Sequence, residues 1–139
     1  MPTETTLVLL KPDAVRRGLV AELIGRFERR GFRIRGLKQL VLQRSVAEEH
    51  YAEHSARPFF GELVDFITSG PLVALALEGP SAIATVRTMM GATNPLDSAP
   101  GTIRGDFALE IGENIVHGSD SPANGEREIA IYFSEPDLV

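Results

Sequence analysis

The chain has 139 residues, 43% of them apolar and 24% charged, with a net charge of −5 and no cysteine. These values fit one domain over residues 1–139 with a core of ordinary size, and they exclude disulfide staples and thiolate metal sites. No apolar run reaches the roughly 18 residues that cross a bilayer and Met1-Pro2-Thr3-Glu4 opens no signal peptide, so a cytoplasmic location without a membrane partner is expected, while the negative charge argues against nucleic acid as the main partner.

Thr6 to Leu10 is a short apolar run, which predicts a strand buried on both faces. Pro12 keeps Lys11 extended at its end. Val20, Leu23, Ile24 and Phe27 recur at helical spacing, and Gly31 stops that helix. Phe32 and Ile34 alternate with Arg33 and Arg35, a strand with one wet face; Gly36 interrupts it with a bulge or twist before Leu40-Val41-Leu42. Ser45-Val46-Ala47-Glu48 reads as a capping box opening a helix.

Pro58 starts a further helix whose Phe60, Leu63, Val64 and Ile67 share a face, ended by Ser69-Gly70-Pro71. Leu72 to Leu77 predicts another buried strand. Ser81 is placed to cap a helix with Ile83, Val86 and Met90 inward. Residues 91–114 look mostly irregular, and a connection of that length is usually functional. Ile115-Val116 is a minimal strand, Pro122 opens a last helix with Ile129 and Phe133 four apart, and a short tail follows Glu135. The order makes two β-α-β halves, the split arrangement of a ferredoxin-like α+β sandwich: a four-stranded antiparallel sheet with helices packed on it. Strand order does not follow from the sequence.

The segment Asn114-Ile115-Val116-His117-Gly118-Ser119-Asp120-Ser121 carries the clearest chemistry. A histidine at a strand end beside glycine is open to a bulky reactant. Its neutral imidazole, with an ordinary pKa of about 6.5, attacks without first losing a proton. Attack on phosphorus yields a phosphoramidate, itself a ready phosphoryl donor. Arg87 shares a helix face with Ile83 and Met90, which sends it either snorkelling to water or over a cleft. Arg104 lies between Gly101 and Gly105, where the backbone permits close approach.

The chain resembles the nucleoside diphosphate kinase family, whose signature is Asn-x-x-His-Gly-Ser-Asp-Ser; every fixed position is present, from Asn114 to Ser121. The likeness extends through Lys11-Pro12-Asp13, Tyr51 with His54, Arg57-Pro58-Phe59-Phe60, Ser69-Gly70-Pro71 and the run from Met90 to Phe107. It implies a phosphotransferase working in two steps: His117 takes the γ-phosphate of a nucleoside triphosphate and gives it to a nucleoside diphosphate. By the same resemblance Glu128 orients the His117 ring, Ser119 bonds near that carboxylate, and Tyr51 restrains the ring. Lys11, Arg87, Thr93 and Arg104 hold phosphates, and Lys11 and Asn114 bond the sugar hydroxyls. Phe59 stacks on the base without reading its edges, which implies broad base specificity.

Mg2+ is implied as the nucleotide's companion rather than as a protein-held ion, with Asp120 and Glu53 nearby. A homo-oligomer, hexameric or tetrameric, is likewise implied. Ala14 and Tyr132 depart from the glycine and tryptophan of many relatives, and Gly125 is expected to cost the last helix about 1 kcal/mol. The alternative reading is a non-catalytic module that senses nucleotides or binds a partner. Such a relative is expected to lack the histidine or a phosphate-binding arginine, and this chain lacks neither. Arg104-Gly105-Asp106 matches a tripeptide read by cell-adhesion receptors and is taken as accidental.

Overall fold

The computed structural model describes residues 3–139. Its four strands are β1 (Thr3–Leu10), β2 (Arg33–Leu40), β3 (Leu72–Pro80) and β4 (Val116–Gly118). They lie in the order β2-β3-β1-β4, and every neighbouring pair is antiparallel. The helices are α1 (Pro12–Arg16), α2 (Val20–Arg30), α3 (Arg44–His50), α4 (Phe60–Ile67), α5 (Ala82–Met90), α6 (Ile103–Phe107) and α7 (Pro122–Tyr132). The predicted α+β sandwich is the observed one. Among the described residues no helix is long and apolar enough to cross a membrane.

The unbroken apolar run of β1 has a direct cause: the strand is central and covered on both sides. Val8 and Leu10 join a core with α2, α5 and α6, whereas Leu7 and Leu9 join a second core with α3, α4 and α7. β3 divides in the same way, with Val73, Leu75 and Leu77 on one side and Leu72, Ala74 and Ala76 on the other. The bulge falls where Gly36 predicts it, between Ile34 and Gly36. A Cβ at Gly36 would stand 2.8 Å from the Phe133 ring, so the strand bends where the tail crosses it. Gly31 ends α2 with a left-handed φ of 113°.

Several local expectations are corrected. The Ser45 capping box does not form: α3 opens one residue earlier, and the Gln43 carbonyl accepts from the amides of Val46 and Ala47. Ser81 caps nothing through its side chain. The carboxylate of Glu4 instead accepts from the Ile83 amide at 3.1 Å, so strand β1 caps α5. Pro12 not only ends β1 but opens α1, and α6 forms within the segment expected to be mostly irregular. The end of the chain is tied down, with the Val139 amide donating to the Arg35 carbonyl at 2.9 Å.

Candidate active site

β4 is only three residues long, and it sets His117 opposite Leu9 of β1. Gly118 lets that strand lie on α5, since a Cβ there would come 2.6 Å from the Met90 sulfur. The His117 ring therefore sits at the sheet end below α7, half-buried. Its Nε2 lies 3.1 Å from Glu128 Oε1, and the same oxygen accepts from Ser119 Oγ at 2.7 Å. Burial by itself would raise the Glu128 carboxyl, but the His117 and Ser119 hydrogen bonds and the neighbouring charges outweigh it and bring the group down to about 2. An ionised carboxylate only accepts, so Nε2 carries the ring proton and Nδ1 keeps a free lone pair.

The cations expected from the sequence converge beside this ring. Lys11, Arg87, Thr93, Arg104, Asn114 and His117 line one cavity of about 780 Å3, together with Tyr51, Phe59 and Glu128. Lys11 Nζ donates to Asn114 Oδ1 at 2.8 Å, and Asn114 Nδ2 donates to the Thr93 carbonyl at 3.1 Å. Burial first, then the Arg104 charge, lowers the Lys11 ammonium to about 8, against the pull of Asp13. Arg87 Nη1 donates to the Gly118 carbonyl at 3.2 Å, so the reading of Arg87 as a cleft residue holds over plain snorkelling.

Arg104 is only 6% exposed. Its Nε bonds the Asn114 carbonyl, Nη1 those of Gly91 and Ala92, and Nη2 that of Val116 at 2.6 Å. These bonds leave about one of the five guanidinium N–H groups for a ligand. Burial, then the Arg87 charge, lowers its pKa to about 10. The buried side chain also removes the Arg104-Gly105-Asp106 tripeptide from display.

Phe59 stands apart from the core, 41% exposed on the cavity wall, while Phe60 packs inward. Its ring is flanked by His54 at 5.9 Å and by the Arg57 guanidinium at 5.9 Å. Ser119 is fully buried behind the ring and does not line the cavity.

Two residues escaped the sequence reading. His50 packs edge-on against His117 with ring centroids 4.8 Å apart, and the Tyr51 ring meets His50 edge-on in turn, also at 4.8 Å. Burial, then the repulsion a protonated His117 would add, lowers His50 to about 3, so it stays neutral, and its Nδ1 lies 3.2 Å from Tyr132 Oη. Arg127 ties α7 to the end of α3 through the carbonyls of Glu49 and His50, both at 3.3 Å. Neither residue has a sequence signal, because their partners are reached only through the fold.

Among the described residues, the one convergent group of metal-ligating side chains is His50, His117 and Glu128. Two nitrogens and one oxygen suit Mg2+ poorly, since that ion takes oxygen ligands in an octahedron. The carboxylates of Asp120 and Glu53 are exposed on the cavity wall and fit a Mg2+ carried in by phosphates with its waters.

The fold and site thus define an α+β sandwich whose carboxylate-braced histidine faces a cleft lined with cations. The nucleoside diphosphate kinase family model matches residues 4–138, and the chain belongs to that family. It is 59% identical to the nucleoside diphosphate kinase of Deinococcus radiodurans over 98% of this chain and 99% of the relative, and 58% identical to that of Archaeoglobus fulgidus over 98% and 90%. Among solved structures, the halophilic nucleoside diphosphate kinase of Halobacterium salinarum in complex with CDP superposes with a TM-score of 0.96 at 47% identity, covering 99% of this chain and 92% of that one. The Aquifex aeolicus nucleoside diphosphate kinase does so with a TM-score of 0.97 at 41% identity, covering 99% and 100%.

Proposed function

We propose that this chain is a nucleoside diphosphate kinase that carries phosphate on His117 Nδ1. The observation that supports it most directly is the pairing of Nε2 with an ionised Glu128, which leaves Nδ1 as the nucleophile at the cavity wall. The Nδ1 lone pair forms the N–P bond to the γ-phosphorus as the bond to the β-phosphate oxygen breaks. That oxygen leaves as part of the diphosphate, and its charge is taken up by Arg87, Lys11, Thr93 and the remaining N–H of Arg104. The first diphosphate departs, a second enters, and its terminal oxygen takes the phosphoryl group back from nitrogen. Glu128 holds the ring and stabilises the positive charge that forms on it during transfer.

Phe59 stacks on the base, and stacking alone reads no base edge, which supports broad nucleotide use. Lys11 and Asn114 hold the sugar hydroxyls. Mg2+ carried in by the phosphates would neutralise part of their charge, and Asp120 and Glu53 on the cavity wall would be the carboxylates available to its waters. The whole chain acts as one catalytic domain in the cytoplasm. It works as a homo-oligomer, a reading supported by Leu37 on edge strand β2 and Val41 just after it, exposed at 56% and 58%.

The test is phosphate exchange from GTP to ADP. Parallel double-reciprocal lines are expected, together with loss of exchange in His117→Ala. Intersecting lines, or exchange that survives the substitution, would sink the proposal.

A further inference from the structure

Ile115 lies between the two signature residues Asn114 and His117, and it is strained. Its φ is 74°, a left-handed value that a β-branched residue rarely adopts. The Val116 amide donates to the Asn114 carbonyl at 2.7 Å, which makes Ile115 the centre of a γ-turn of the uncommon positive-φ kind. Strain of this sort persists only where the surroundings over-determine it.

The surroundings do so here from the far end of β1. Ile115 accepts from the Lys11 amide at 2.8 Å, and its own amide donates to Asp13 Oδ2 at 3.1 Å. Both backbone groups of the strained residue are thus held by one short segment. Asp13 is 1% exposed, and its second oxygen, Oδ1, is buried with no hydrogen-bond partner. A carboxylate kept in so unfavourable a place marks a function for the one bond it makes. The turn in turn aims the Asn114 and Val116 carbonyls at Arg104, and the Asn114 side chain at Lys11 and Thr93.

We propose that Asp13 is a positioning residue for phosphoryl transfer: its bond to the Ile115 amide holds the strained turn that sets Asn114 and His117 around the reacting phosphate. The inference rests on the kinase reading given above. Without the carboxylate the turn relaxes toward negative φ, and the carbonyls of Asn114 and Val116 no longer meet Arg104 together. Asp13 touches no reactant. It acts through the peptide of Ile115 on the approach of Nδ1 to phosphorus.

Single-turnover labelling of His117 from γ-labelled ATP tests this in the full-length wild type, Asp13→Leu and Asp13→Asn. Loss of near-attack geometry predicts that Asp13→Leu slows labelling at saturating ATP by at least about tenfold, with ATP affinity changed by less than about threefold. Asp13→Asn keeps a carbonyl oxygen for the Ile115 amide and recovers most of the rate. A purely structural role moves stability and leaves the saturating rate alone.

Folded Asp13→Leu labelling at the wild-type rate would overturn the inference. So would equal slowing in both variants, which would make the charge of Asp13 the cause rather than its bond. If Asp13→Leu does not fold, amide exchange at Ile115 in the wild type decides: strong protection is expected, and exchange as fast as an open loop overturns it. A wild type that takes no label would refute the kinase reading instead, and the Ile115 amide would still report on the clamp.

Discussion

Glu128 Oε1 and His117 Nε2 stand 3.1 Å apart in the cavity wall, and that contact decides which ring nitrogen is free to react. Glu128→Gln keeps the shape but offers an amide that can donate to Nε2, favouring the tautomer with its proton on Nδ1. The rate of His117 phosphorylation is expected to fall by on the order of 100-fold or more, with little change in nucleotide affinity. Rapid-quench labelling measures it. A variant that labels at the wild-type rate would remove Glu128 from the account.

The same carboxylate links stability to acid. Its pKa is lowered from 4.5 to about 2 in the fold, so its contribution is fully present above pH 4.5 and is lost as pH falls through 2. A lowering of that size corresponds to about 3 kcal/mol. Urea titrations at pH 5 and pH 3 should show a smaller loss of stability in Glu128→Gln than in the wild type.

Lys11 gives the opposite end of the pH range. With its ammonium lowered to about 8, the free protein loses that charge as pH rises through 8, and a phosphate chain must recruit a proton to bind. Nucleotide affinity is expected to weaken above pH 8, approaching about tenfold per pH unit well beyond it. In Lys11→Arg, whose guanidinium stays charged, affinity should be lower overall but flat from pH 7 to pH 9. Isothermal titration with ADP distinguishes the two profiles.

Gly125 lies inside α7, and helix propensity alone says that Gly125→Ala should stabilise the protein. The structure reverses that expectation. A Cβ at position 125 would stand 2.9 Å from the Thr5 carbonyl oxygen and 3.4 Å from Ile83 Cδ1, so glycine lets α7 lie directly on β1. Gly125→Ala is expected to destabilise by about 1–3 kcal/mol through overpacking. Thermal unfolding checks it; a raised Tm would show that the helix has room to move.

Tyr132→Phe removes the partner of His50 Nδ1 inside the core. A loss of about 1–3 kcal/mol is expected from the stranded nitrogen. Calorimetry measures it.

Where partners lie close in sequence, or a pattern has one period, the fold was legible. The two-sided burial of β1, the Gly31 stop and the Gly36 bulge all follow from local pattern. What stayed hidden depends on distant partners. The cap of α5 comes from Glu4 on another strand, which no reading around Ser81 reveals. Adjacent Phe59 and Phe60 are alike as residues, and only the packing of α4 decides which one is left on the cavity wall. The grouping of Lys11, Arg87, Thr93, Arg104, Asn114 and His117 around one cavity was legible because the signature segment is compact and its resemblance covers the chain. His50 was not, since nothing near it in the sequence tells that α3 delivers its ring to His117.

The most direct test of the account is the position of the phosphate on the protein. After brief incubation with ATP, 31P and 15N NMR of the isolated phosphoprotein should show one acid-labile phosphohistidine, at His117, with phosphorus bonded to Nδ1 and the proton on Nε2. Phosphate on Nε2, or on any other side chain, would contradict it.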